Sequence, residues 1–174
     1  MILETKRLIL REYTLEDFDD LYEILSDHIT MSHYPKPYDK NGVKRWLNWS
    51  IDNYQKYGFG LWAVVLKETG KFIGDCGLTI QNIDNEQLPE IGYHINKKYW
   101  RQGYASEAAI AVRDWAFKNT NYKALYSYMN HTNVGSYGVA KKIGMKKIKE
   151  YKDENEFLYV YSITRLEWEN LKKL

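Results

Sequence analysis

Apolar residues recur along this chain in two periods, and the switches between them mark its elements. Arg7 to Glu12 reads as a first strand. Thr14 then stands as a helix cap, with Asp17 at the capping-box position and Leu15, Phe18, Leu21, Tyr22 and Leu25 at helical spacing. Pro35 and Pro37 impose an extended loop. Asp39 caps a second helix, about Asn41 to Tyr57, which Gly58 closes. Leu61 to Leu66 is a continuous apolar run of the kind a strand covered on both faces requires. The turn Lys67-Glu68-Thr69-Gly70-Lys71 sends the chain back through a strand from Phe72 to Ile80. A polar loop, Gln81 to Gln87, leads into a strand from Pro89 to Asn96, where Ile91, Tyr93 and Ile95 face one way and Glu90, Gly92 and His94 the other. Beyond Gly103 helical spacing returns, and Ala105, Ala108, Ala109, Val112 and Ala116 form a stripe small enough to lie close on a sheet. Ala124 to Met129 predicts a strand. Asn133 to Ile143 predicts a short helix with Ser136, Val139, Ala140 and Ile143 on one face, and about Lys146 to Tyr151 and Glu156 to Thr164 are two closing strands. This succession is a mixed α/β order. No repeat, low-complexity tract or linker interrupts it, so residues 1–174 are expected to form one domain.

A chain of 174 residues is long enough to bury a substantial core. Its 25 basic and 23 acidic side chains leave a net charge of +2, without the concentrated basic face that nucleic-acid binding needs. Aromatic strand faces, Tyr126 with Tyr128 and Tyr159 with Tyr161, come with no RNA-binding motif, and no G-x-G-x-x-G follows the first strand as a dinucleotide-binding oxidoreductase would require. Cys76 is the single cysteine, so no intrachain disulfide forms. Its apolar setting and the lack of a signal-like apolar core in Met1 to Leu10 predict a reduced thiol in a cytoplasmic protein. The longest apolar run, Leu61 to Leu66, is too short to cross a bilayer. His28, His33, His94 and His131 show no metal-ligand spacing with Cys76, and no metal is expected.

The densest chemistry lies in Tyr99-Trp100-Arg101-Gln102-Gly103-Tyr104-Ala105-Ser106-Glu107-Ala108-Ala109. A helix that starts at a glycine, with little bulk in its first turns, presents backbone N–H groups and a partial positive charge to an approaching anion. Lys97, Lys98 and Arg101 add charge just upstream. The segment reads as a cradle for a phosphorylated cofactor.

In that order of elements, the chain resembles the GNAT superfamily of N-acetyltransferases. Within it the chain is most similar to the RimJ/RimL-type branch, named for enzymes that acetylate ribosomal-protein N-termini. Thr5 to Arg11 matches the branch's opening strand, Phe72-Ile73-Gly74-Asp75-Cys76-Gly77-Leu78 and Glu90-Ile91-Gly92-Tyr93-His94-Ile95 its two glycine-marked strands, and Tyr99 to Ala108 its pyrophosphate loop. Asn133-Val134-Gly135-Ser136, with Val139, Lys142, Gly144 and Met145, matches its late helix. The resemblance implies a central, mostly antiparallel twisted sheet of about seven strands, its fourth and fifth strands splayed, flanked by helices. It also implies acetyl-CoA as co-substrate, a primary amine as acceptor, and a monomer or homodimer. By resemblance the backbone of Arg101, Gln102, Gly103, Tyr104, Ala105 and Ser106 holds the coenzyme A pyrophosphate. Tyr93, His94 and Ile95 pair with the pantetheine arm as an added strand would, and Asn133 contacts that arm from the other side. Tyr34, Tyr38, Trp46, Trp49, Tyr57 and Phe59 lie where such enzymes build the acceptor side. Many relatives carry a tyrosine seven residues after this Asn as general acid. Here that residue is Ala140, which leaves Ser136 as the candidate donor to the thiolate.

Acetyl transfer needs a neutral amine, a polarised carbonyl and a stabilised leaving thiolate. A lysine-like amine of pKa about 10.4 is neutral at pH 7 roughly once in two thousand molecules, and a peptide α-amine of about 7.7–8.0 roughly once in ten. The acceptor therefore needs a base. Glu90, at the start of the strand before the cradle, is the candidate, with His94 on the same face in reserve. Without a working acid the alternative is a non-catalytic acyl-CoA sensor.

Overall fold

The computed structural model describes residues 2–174; Met1 lies outside the described residues. A two-residue strand β1 (Leu3–Glu4) pairs with β2 (Leu8–Arg11), the predicted first strand. A 3-10 turn, Leu15–Asp17, leads into α1 (Phe18–Leu25), and the Asp17 carboxylate accepts from the Thr14 N–H at 2.8 Å, the capping contact expected. α2 (Lys40–Tyr57) starts at Asp39, whose side chain accepts from the Gly42 N–H at 2.7 Å, and ends at Gly58 in the left-handed region. Strands β3 (Leu61–Leu66), β4 (Phe72–Ile83) and β5 (Glu86–Ile95) follow. Then come α3 (Tyr104–Asn119), β6 (Ala124–Asn130), α4 (Val134–Lys142), β7 (Lys146–Asp153), β8 (Glu156–Thr164) and α5 (Arg165–Leu171).

Two predictions are corrected. Gln81 to Gln87 is not a loop: β4 and β5 run through it and turn at Asp84-Asn85, both at positive φ (50° and 66°), the two-residue hairpin that Asp and Asn tolerate. Ile83 is buried there, and Lys149 of β7 holds the tip through Asp84 at 3.1 Å. The second is a final helix, α5, absent from the predicted order. Its sign was present as Thr164 with Glu167 three residues on, which form a capping box.

The strands form one sheet in the order β1-β2-β3-β4-β5-β6-β8-β7, eight strands rather than about seven, β1 being the addition. Neighbours are antiparallel except β5 and β6, which are parallel and share a single register pair, Glu90 with Tyr126. These are the splayed strands. β3 is apolar throughout because both its faces are covered. Trp62 and Val64 pack with Ala108, Ala109, Val112 and Ala116 of α3, while Leu61 and Ala63 pack with Leu21, Leu25, Val43 and Leu47 of α1 and α2. Ala108, Ala109, Val112 and Ala116 of the stripe are buried, Ala105 is half-buried at its start, and the small side chains bring α3 close to the sheet beneath β4 and β5. No helix among the described residues is long and apolar enough to cross a membrane.

Candidate active site

The cradle starts where β5 ends. Asn96 accepts from the Lys98 N–H at 3.0 Å and so caps a 3-10 turn, Lys97–Tyr99. Trp100 folds back to donate its Nε1–H to the Ile95 carbonyl at 2.7 Å. The chain then turns through two left-handed residues, Arg101 (φ 59°) and Gly103 (φ 82°), into α3. A side chain at Gly103 would find space, its nearest neighbour being Arg7 Nη2 at 3.4 Å, so it is the backbone angle and not crowding that favours glycine there. The first internal bond of the helix runs from the Glu107 N–H to the Gly103 carbonyl. Among the described residues, the N–H groups of Gly103, Tyr104, Ala105 and Ser106 have no protein acceptor. These open donors at the positive end of a 16-residue helix are what a diphosphate would engage. Arg101 and Gln102 form the turn that leads to them.

One expectation about charge fails. Lys97 pairs with Asp27 at 2.9 Å and Lys98 with Glu23 at 2.9 Å, so neither stands free beside the cradle. Three residues that the sequence did not single out hold it instead. Glu107 accepts from Thr5 Oγ1 (2.6 Å), the Arg7 N–H (2.8 Å) and Arg7 Nε (2.7 Å). Arg7 also donates to the Gln102 carbonyl at 2.9 Å and lies over the Tyr104 ring. Burial works to raise the Glu107 carboxyl, but these hydrogen bonds and the Arg7 charge outweigh it and hold the group below the usual range. The signal was an acidic residue in the first turn of a helix, but its partners lie about a hundred positions away and no local pattern joins them.

The slot beside the cradle is made by the parting of β5 and β6. Beyond Glu90 and Tyr126 the link is Ser127 Oγ, which donates to the Ile91 carbonyl at 2.8 Å. From Gly92 to Ile95, β5 has a ladder only on its β4 side, so Tyr93, His94 and Ile95 line the free edge. Across the slot, Asn133 is the N-cap of α4: its side chain accepts from the Ser136 N–H at 3.1 Å, and its amide NH2 has no partner among the described residues. Tyr93 spans the gap, its hydroxyl donating to the Ser136 carbonyl at 2.6 Å, with Ser136 Oγ 3.5 Å from the same hydroxyl. Burial pushes the Tyr93 phenol up, which makes it a hydrogen-bond donor rather than an acid. Ala140 is buried against the core.

Glu90 and His94 share the opposite face of β5 with Asp75 of β4, which stands directly across from His94. Glu90 is half-buried, and burial raises its carboxyl to about 7, the nearby His94 pulling down and Asp75 pushing up. His94 Nδ1 is 2.6 Å from Asp75 Oδ1. Burial alone would lower His94, but the charge and hydrogen bond of Asp75 and the charge of Glu90 reverse this and raise it. Sequence reasoning missed Asp75, whose sign was a lone carboxylate inside an apolar strand. Of the aromatics expected on the acceptor side, Tyr34 and Trp46 pack on His94 with ring centroids 5.6 and 5.0 Å away, Tyr38 packs on Trp46, and Trp49 lies beyond. Tyr57 and Phe59 do not join them; they stack together, and Phe59 packs against Trp115 and Tyr122. Two open hollows of about 450 and 550 Å³ lie off the slot, one between α4 and β8 and one beside α3 and β1, on the flank of the cradle where Thr5 and Glu107 meet. The slot is a narrow cleft in the sheet, crossed by the Tyr93–Ser136 bond.

Comparison with known proteins gives the same direction. Residues 7–146 match the family model described as an acetyltransferase (GNAT) domain. An uncharacterized protein of Bacillus subtilis (strain 168), YkkB, is 36% identical over 160 residues, 91% of this chain and 93% of its own. The crystal structure of an acetyltransferase from Agrobacterium tumefaciens str. C58 superposes with a TM-score of 0.82 at 28% identity, covering 94% of both chains. RimL, a ribosomal L7/L12 alpha-N-protein acetyltransferase solved in complex with coenzyme A, has a TM-score of 0.77 over 94% of this chain and 97% of its own. At 15% identity that likeness is one of fold. The chain belongs to the GNAT acetyltransferase family.

Proposed function

We propose that this protein transfers the acetyl group of acetyl-CoA to a primary amine, a peptide or protein N-terminus or a small-molecule amine, by direct attack on the thioester. The observation that carries this is the succession of three features along β5 and into α3. Open N–H groups at Gly103 to Ser106 lead to the unpaired edge of β5 at Tyr93 to Ile95, and a carboxylate held near neutrality stands on the same strand at Glu90. Arg101 to Ser106 would hold the diphosphate, and Asn133 the pantetheine arm from the α4 side. Acetyl-CoA supplies an activated thioester. Glu90 takes a proton from the acceptor ammonium, directly or through water, which frees the nitrogen pair. A backbone N–H near Ile95 polarises the carbonyl, and Ser136 hydrogen-bonds the departing thiolate. A base near 7 suits this work, since an ordinary carboxylate is too weak to hold the proton. In this reading residues 1–174 act as one domain, a monomer or homodimer in the cytoplasm, with no metal and with neither nucleic acid nor membrane as partner.

Incubation with acetyl-CoA and a panel of peptides with free α-amines, polyamines and aminoglycosides should release free thiol. The buried Ala140 favours a second reading, a non-catalytic acyl-CoA sensor. Calorimetric binding of acetyl-CoA with no thiol release from any amine would support it. Failure to bind coenzyme A would end both.

A further inference from the structure

Asp75 has a fully buried carboxylate, yet it serves no capping or turn role. Three donors from three separate parts of the chain converge on it: the Tyr13 hydroxyl at 2.7 Å, Trp46 Nε1 at 3.2 Å and His94 Nδ1 at 2.6 Å. Because Nδ1 is engaged, the second ring nitrogen of His94, Nε2, is left for another partner. Glu90 stands four residues earlier on the same face of β5. Its Oε1 lies 3.0 Å from where a Cβ on Gly92 would be, so the carboxylate lies over Gly92, the position between it and His94. Only glycine leaves that strip of backbone bare. The other titratable groups around these residues are Tyr13, Tyr34, Tyr38 and Tyr54 from the segments over the sheet, Tyr93 from β5, Tyr128 from β6 and Cys76 from β4. Burial pushes every one of them up, away from neutrality.

We propose that Asp75 is the positioning residue of the acceptor site and His94 its second acid–base group: Asp75 holds the imidazole through Nδ1, and His94 and Glu90 handle the acceptor's proton as one unit. The proposal rests on the acetyl transfer to an amine set out above. The N–H bond of the acceptor ammonium breaks with its electron pair left on nitrogen, and Glu90 takes the proton. His94, 11% exposed, hands a proton from Nε2 to water and recovers one from Glu90. The nitrogen pair forms the amide bond while the C–S bond breaks with its electrons on sulfur. The second proton released from nitrogen ends on the thiol.

The test is imidazole nitrogen NMR of the whole chain between about pH 5 and 9, compared with Glu90→Gln and Asp75→Asn and assigned by His94→Gln. The expected result is a His94 ring protonated at Nδ1 throughout, with a midpoint above the ordinary imidazole value. Glu90→Gln should lower that midpoint, and Asp75→Asn should lower it and release the tautomer. A His94 midpoint indifferent to Glu90→Gln overturns the proposal, and that arm stands even if Asp75→Asn does not fold. With tetraalanine as amine, His94→Gln should cut kcat on the order of 10²-fold at unchanged KM for acetyl-CoA, with the acid limb of the kcat profile moved to higher pH. Unchanged kcat with an unmoved limb overturns it. Absence of turnover with any amine defeats the acetyl-transfer reading and the acceptor-site role with it, whereas missing couplings between Asp75, His94 and Glu90, which NMR reads without substrate, defeat this proposal alone.

Discussion

Glu90 would titrate near 4.5 in water, and burial holds it near 7 in the fold. The native structure therefore prefers the neutral carboxyl. Its contribution to stability is complete below about 4.5 and is lost as pH rises through about 7, the range in which the proposed base role would need the ionised form. Glu90→Gln keeps the shape and removes the charge. It should make the chain more stable than the native one by about 1–3 kcal/mol at pH 8 and nearly equal at pH 4, measured by urea denaturation. Acetyl transfer should fall by roughly 10²-fold or more, and the native rate should climb with pH through about 7. Glu90 was legible in the sequence because its strand and face follow from the alternation about it. Asp75 was not, because a carboxylate inside an apolar strand acquires meaning only from what lies across the sheet.

The parting of β5 and β6 is the element on which the site depends. The strands keep one register pair, and Ser127 Oγ bonded to the Ile91 carbonyl marks where they diverge. Ser127→Ala leaves that buried carbonyl without its partner and should cost about 1–3 kcal/mol in urea denaturation. It should also raise KM for acetyl-CoA, since the free edge from Gly92 to Ile95 begins at this point. Every helix start but that of α5 was read, because the signals are local: Asp39 reaches the Gly42 N–H, and Asp17 reaches back to Thr14. The hairpin at Asp84-Asn85 was hidden, because polar residues on a strand that runs out past the core look like a loop. Its extension is held by pairing to β4 and by Lys149.

For the molecule as a whole, coenzyme A should bind the folded chain and stabilise it. At a hundredfold excess over Kd the gain is about 2.7 kcal/mol, which in a domain of this size raises Tm by roughly 5–10 °C in calorimetry. Gly103→Val, forced to adopt φ 82° with a branched side chain, should lose most of that increase. By itself the sequence determined the order of most elements, the stripe of α3 that meets the sheet, the glycine that opens the cradle and the face that carries Glu90. Those properties depend on periodicity and on neighbours a few residues away. Only the tertiary structure decided that Lys97 and Lys98 are spent on Asp27 and Glu23, that Thr5 and Arg7 clamp Glu107, and that Asp75 holds His94. Each of these is a pairing between distant segments, set by how the sheet is ordered and what packs on it, and a linear pattern carries no record of that order.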